Sequence, residues 1–148
     1  MEITEECRQC PDEAAPMNRT MRAFLNRLLG DRGECAAARH LRGQGFRVLL
    51  RGYRTARGEI DLIARDGPTV VFVEVKARRR GEPAEAVTPE KERRLTLAAL
   101  QFLKANNLLE CPARFDVVTL VWPDDRQKPT VEHYRNAFEP PGRGQFFR

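Results

Sequence analysis

Histidine and cysteine are scarce in this chain of 148 residues, with two of the first and four of the second. A structural zinc takes about four ligands at recognisable spacings. Cys7 and Cys10 form one C-x-x-C, but Cys35 and Cys111 stand alone, and neither His40 nor His133 supplies a zinc-ligand spacing. The cysteines therefore read as reduced thiols, with Cys35, beside Ala36 and Ala37 in a helical pattern, a small core residue. Long apolar runs are also missing: nothing approaches the 18 or so uninterrupted apolar residues of a membrane span. The start, Met1-Glu2-Ile3-Thr4-Glu5-Glu6, is acidic and unlike a signal peptide. These absences predict a cytoplasmic protein with no membrane partner. Lysine is rare as well, since 22 of the 26 cationic residues are arginine.

What is present suffices for one compact domain, because 148 residues with 41% hydrophobic content can bury a real core. Residues 1–29 read as a largely mobile extension, the part from Met1 to Asn18 being polar, proline-containing and aperiodic, with Met17 or Met21 as alternative starts. Residues 30–138 carry the periodic elements. Residues 139–148 form a tail released by Pro140-Pro141-Gly142, whose Phe146 and Phe147 either dock on a partner or stay disordered. A helix is expected from Asp31 to about Gly43, ended by Gly43 and Gly45. Strands are expected at Phe46–Tyr53, in the two runs described next, at Phe115–Trp122, and at an edge over Thr130–Arg135. Between them Thr88 caps a helix with Pro89 at its first position, and Leu95, Ala98, Ala99, Phe102 and Leu103 form its buried stripe. The order αβββαββ predicts an α/β (α+β) fold, a mixed sheet of about five strands flanked by helices.

Charge is oddly placed between Gly58 and Arg80. In the run Glu59 to Ala64 the alternation of a strand puts Glu59, Asp61 and Ile63 on one face and Ile60, Leu62 and Ala64 on the other. In Val70 to Lys76 it groups Phe72, Glu74 and Lys76 against Val71, Val73 and Val75. Asp66-Gly67 between the runs signals a hairpin. A connection of two or four residues would bring Asp61 and Glu74 onto one face as direct or near-diagonal neighbours; one of three would separate them. Two ionised carboxylates on an apolar strand pair repel unless a cation lies between them. Few hard oxygen donors suit Mg²⁺ or Mn²⁺, ions that keep waters and share phosphate oxygens. Lys76, two residues past Glu74, aims a fixed charge at the same place, where it can orient a water or meet charge growing on a phosphate. Asp116, by contrast, reads as a hydrogen-bonding carboxylate where its strand begins.

An aspartate, a hairpin and Glu-x-Lys resemble the PD-(D/E)-x-K signature of restriction endonucleases and archaeal Holliday junction resolvases. More closely, four segments resemble the YraN family of small bacterial proteins: Gly33-Glu34 with Ala36-Ala37 and Leu41; Gly58 to Ala64; Val71 to Lys76; and Arg114 to Val118 with Glu132-His133 and Asn136-Ala137-Phe138. The resemblance runs from about Gly30 to Phe138. It implies a restriction-endonuclease-like fold, with Asp61 and Glu74 as metal carboxylates, Lys76 as the catalytic lysine, and Glu34 as an additional glutamate near the metal. The signature's proline is absent, since Ile60 precedes Asp61.

Between Arg42 and Arg80 ten cations face four carboxylates, a surplus of six where the whole chain carries +5. Arginine's planar fork suits phosphate oxygens, so a nucleic-acid partner, most readily DNA, is expected, with Arg51, Arg54, Arg57, Arg78, Arg79, Lys91 and Arg94 as its contacts. Together these readings predict a metal-dependent nuclease acting on DNA, including branched repair or recombination intermediates. The alternative is a catalytically inert nucleic-acid-binding protein on the same scaffold. One site cuts one strand, so cleavage of a duplex or junction would favour a homodimer.

Overall fold

The structure, a computed structural model, describes residues 19–124 and 126–140, with side chains from Gly30 onward. Expectations for Cys7, Cys10, the start and Phe146-Phe147 fall outside that range. The elements run α1 (Arg19–Gly43), β1 (Arg47–Arg54), β2 (Glu59–Asp66), β3 (Thr69–Arg79), α2 (Pro89–Ala105), β4 (Ala113–Trp122) and β5 (Thr130–Phe138). That is the αβββαββ order, and the mixed α+β class, that the sequence patterns predict.

Helix α1 begins at Arg19, twelve residues before the expected Asp31. Gly30 and Gly33 resemble a boundary, because each glycine costs about 1 kcal/mol relative to alanine inside a helix. At Gly33 the structure gives the reason for that cost. A Cβ there would lie 2.7 Å from the Cβ of Ala77, so α1 crosses β3 with backbone nearly touching strand. The helix ends where Gly45 adopts φ +90 and the Phe46 N–H bonds back to the Leu41 carbonyl.

The strands lie in the order β1-β2-β3-β4-β5, antiparallel except for β3 beside β4. A parallel neighbour needs a crossover, and α2 supplies it. β3 is thus central, and Val70, Val71, Phe72 and Val73 are all at most 1% exposed, a continuous apolar run as expected of a strand covered on both faces. On one face Leu62, Ala64, Val71, Val73, Val118, Leu120 and Trp122 pack against Ala37, Ala38 and Leu41 of α1. On the other Ile63, Val70, Phe72 and Phe115 pack against Leu95, Ala98, Ala99, Phe102 and Leu103 of α2. Fully burying each of the larger side chains contributes about 1.5–3 kcal/mol, so both helices are held mainly by these stripes. The alternation of β2 breaks once: Ile60 joins the α2 side with Ile63, opposite to its expected face.

Thr88 caps α2, its hydroxyl accepting the Lys91 N–H at 3.2 Å. β5 is an edge strand that extends to Phe138, past the expected Arg135. Its exposed pattern gave the sequence little periodicity to mark the end. Cys35 is 2% exposed, as expected of a core residue, but it is disulfide-bonded and not a reduced thiol; Cys111 is free. No helix among the described residues is long and apolar enough to cross a membrane.

Candidate active site

The hairpin of β2 and β3 closes on two residues, Gly67 and Pro68, between the paired Asp66 and Thr69. Gly67 takes φ +58 at the first central position, and proline's ring holds the second at negative φ, the pattern of a II′ turn. The register runs from Asp66↔Thr69 to Leu62↔Val73, and Asp61 and Glu74 are the next residues on the two strands. There the strands stop pairing through backbone alone. The Val75 N–H donates instead to Asp61 Oδ2 at 2.8 Å, which ties the carboxylate to the strand bearing Glu74.

Glu74 lies in the sheet's buried centre at 5% exposure, beside Val117 of β4. Its two oxygens have different surroundings. Oε1 faces two ammonium groups, Lys91 Nζ at 3.4 Å and Lys76 Nζ at 3.5 Å. Oε2 is buried with no hydrogen-bond partner among the described residues. Burial pushes the Asp61 carboxyl up to about 8, the Glu74 charge adds to the rise, and the Val75 N–H and Lys91 only partly offset it. Two carboxyls thus meet in a place that, without a cation, favours a proton on one of them.

These groups line a cleft of about 560 Å³ with Gly30 and Glu34 from α1, Thr119 from β4, and Glu82 to Glu85 from the connection after β3. Glu34 Oε2 lies 3.6 Å from Arg51 Nη2. Burial raises the Glu34 pKa, Arg51 opposes that, and Asp31 and Glu59 reinforce it. Glu34 also adds to the rise at Asp61, which places its charge within electrostatic reach of the pair. Lys76 bridges to Glu85 Oε2 at 3.7 Å. The lining therefore holds five carboxylates, Glu34, Asp61, Glu74, Glu82 and Glu85, against the three cations Lys76, Arg78 and Lys91. A polyanion meets net negative charge there until a divalent cation joins.

The donor set fits such a cation. Among the described residues no group of three His, Cys, Asp or Glu is arranged to hold a metal. Two carboxylates, one with an unpartnered buried oxygen, are however the usual protein share for Mg²⁺, with water and phosphate oxygens completing the shell.

Of the expected phosphate contacts, Lys91 and Arg78 reach this cleft. Arg51 is engaged with Glu34, and Arg79 lies 3.9 Å from Glu82. Arg54, Arg57 and Arg94 gather in a separate hollow beside it. Sequence reading missed Glu82, Glu85 and Thr119, which lie on an aperiodic connection and a neighbouring strand and carry no motif. Lys91, expected as a phosphate contact, lies near Glu74 because of how α2 lands on the sheet. Asp116 is the hydrogen-bonding carboxylate expected: fully buried, it accepts from Arg114 Nε at 3.0 Å and the Asn136 N–H at 2.9 Å, and lies 2.8 Å from His133 Nε2.

Residues 33–120, more than half of the chain, match the uncharacterised protein family UPF0102. The UPF0102 protein of Geotalea uraniireducens is 46% identical over 117 residues, covering 77% of this chain and 91% of that protein. The one from Geobacter sulfurreducens is 47% identical over 119 residues, with the same coverage. The one from Rhodopirellula baltica is 48% identical over 128 residues, 82% of this chain and 77% of that protein.

Proposed function

The chain belongs to the UPF0102 family, the YraN family, and on that premise we propose that it is a metal-dependent nuclease hydrolysing phosphodiester bonds in DNA. The observation that carries the reading is the buried, unpartnered Oε2 of Glu74 set against an Asp61 carboxyl pushed up to about 8. Burying such a pair is costly for the fold alone, and the arrangement makes physical sense around a divalent cation.

Asp61 and Glu74 are the residues that would hold Mg²⁺ or Mn²⁺, which when bound lowers the pKa of its water and neutralises phosphate charge. The chain's own groups do the rest. The Val75 N–H fixes Asp61 Oδ2, so the pair is preorganised by the hairpin. Lys76 and Lys91 occupy Glu74 Oε1, which leaves Oε2 for the cation and keeps two ammonium groups at the mouth of the cleft. There Lys76 orients the attacking water and stabilises negative charge as it develops on the phosphoryl oxygens, while Lys91 holds the substrate phosphate. Glu34, held by Arg51, adds negative charge on the far wall.

The decisive experiment pairs calorimetric titration of Mg²⁺ and Mn²⁺ with cleavage assays on single-stranded, duplex and branched DNA. Wild type is expected to bind metal and cut at least one substrate, whereas Asp61→Ala with Glu74→Ala loses both. Full cleavage by that variant would sink the assignment. DNA binding by wild type that is indifferent to metal, with no cleavage, would identify a binding protein on a nuclease scaffold.

A further inference from the structure

Beside the cleft, the turn joining β1 to β2 and the side of α2 enclose an open hollow of about 680 Å³. Among the described residues its lining holds three arginines, Arg54 from the end of β1, Arg57 from the turn and Arg94 from α2, against one carboxylate, Glu59. Its walls are built, not incidental. Thr55 Oγ1 accepts both the Arg57 and Gly58 N–H groups, at 3.0 and 3.1 Å, and donates to the Gly58 carbonyl at 3.0 Å. Gly58 then lies so close to α2 that a Cβ would stand 2.9 Å from the Arg94 carbonyl oxygen. The turn is thus pressed onto the helix, and Arg57 has no ion-pair partner among the described residues. Arg54 and Arg94 pair only with exposed carboxylates of their own flanks, Glu59 at 3.3 Å and Glu90 at 2.8 Å, contacts that a phosphate can displace.

Helix α2 also fixes where the hollow lies. Lys91 lines the cleft and Arg94 the hollow, and three residues of helix advance about 4.5 Å along the axis. Glu59 and Asp61 connect the same two places along β2. We infer that the hollow is a second subsite, for a backbone phosphate adjoining the one bound in the cleft, so that one nucleic-acid strand lies along the first turns of α2. This rests on the nuclease reading for the cleft and adds how its substrate is held: through successive phosphates, without base contacts.

The test measures binding to a short DNA strand and its duplex by fluorescence anisotropy across a salt series with Ca²⁺ present as the divalent cation. Wild type is compared with Arg57→Gln plus Arg94→Gln, and with a control, Arg47→Gln plus Arg126→Gln, that removes the same charge from exposed positions outside both sites. The hollow variant is expected to bind about tenfold more weakly, with a log–log salt slope shallower by about one to two, while the control stays within about twofold. Equal behaviour of the two variants overturns the subsite, and the cleft reading then survives if wild type binds Mn²⁺ and cleaves. A slope change in a protein that binds no Mn²⁺ supports the subsite and removes the nuclease reading. No DNA binding by wild type overturns the subsite.

Discussion

At the scale of single residues the chemistry turns on protons. Asp61 has a folded-state pKa of about 8 against an ordinary value of 3.8, so its contribution to stability is full below pH 4 and is lost as pH rises through about 8. A metal ion has to displace that proton. Apparent Mn²⁺ affinity should therefore climb from pH 6 to about 8 and then level, with proton release visible as calorimetric heats that differ between buffers of different ionisation enthalpy. Flat affinity and buffer-independent heats would mean that Asp61 is not a ligand. The two lysines on Glu74 Oε1 should separate in their effects. Lys76→Met is expected to lower kcat by about a hundredfold or more, as loss of a group stabilising the transition state does. Lys91→Met should chiefly weaken substrate binding. Steady-state kinetics on a cleaved DNA would show whether the two variants divide between kcat and KM in this way.

At the scale of elements, two glycines of α1 make opposite predictions from the same helix. Gly30 has nothing within 4 Å of a built Cβ, so Gly30→Ala should stabilise by about 0.5–1 kcal/mol by removing freedom from the unfolded chain. Gly33 faces Ala77 at 2.7 Å, so Gly33→Ala should destabilise by about 1–3 kcal/mol despite alanine's higher helix propensity, because helix and strand must part. Urea unfolding of the two variants checks both signs. Were Gly33→Ala also stabilising, α1 would not approach β3 this closely. The same crossing carries Glu34 towards the cleft, so an element's packing and the site's charge are set together.

For the whole molecule, the cleft stores repulsion that a ligand relieves. Metal-free Asp61→Asn should melt higher than wild type at pH 8.5, since it removes one of two facing carboxylates. Saturating Mn²⁺ should raise the wild-type melting temperature and leave the variant unmoved; at a hundred times Kd the gain is about 2.7 kcal/mol, several degrees for a chain this size. Thermal scans with and without Mn²⁺ give both readings. On β4, one residue before the Val117 that faces Glu74, Asp116 is built for permanence, gathering Arg114, His133 and the Asn136 N–H across β4 and β5. A buried carboxylate with satisfied partners holds strands together, whereas Glu74 keeps one buried oxygen unsatisfied among the described residues.

Much of this was legible in the residue order. Alternation in Val70 to Lys76 placed Glu74 and Lys76 on one face, and Thr88-Pro89 marked the start of α2. The Asp-Gly signal gave the hairpin, because local sterics at a two-residue turn permit few alternatives. The sequence by itself therefore determined the element order, the core stripes and the shared face of Glu74 and Lys76, since each follows from backbone geometry repeated every two or 3.6 residues, whereas Asp61 joins them through a turn length that the structure supplied. Only the tertiary structure decided that Lys91 reaches Glu74, that Glu82 and Glu85 border the cleft, that α1 begins at Arg19, and that three arginines share a hollow. Those relations depend on the angle and distance at which helices land on a sheet, which close packing at Gly33 and Gly58 fixes and no local pattern encodes.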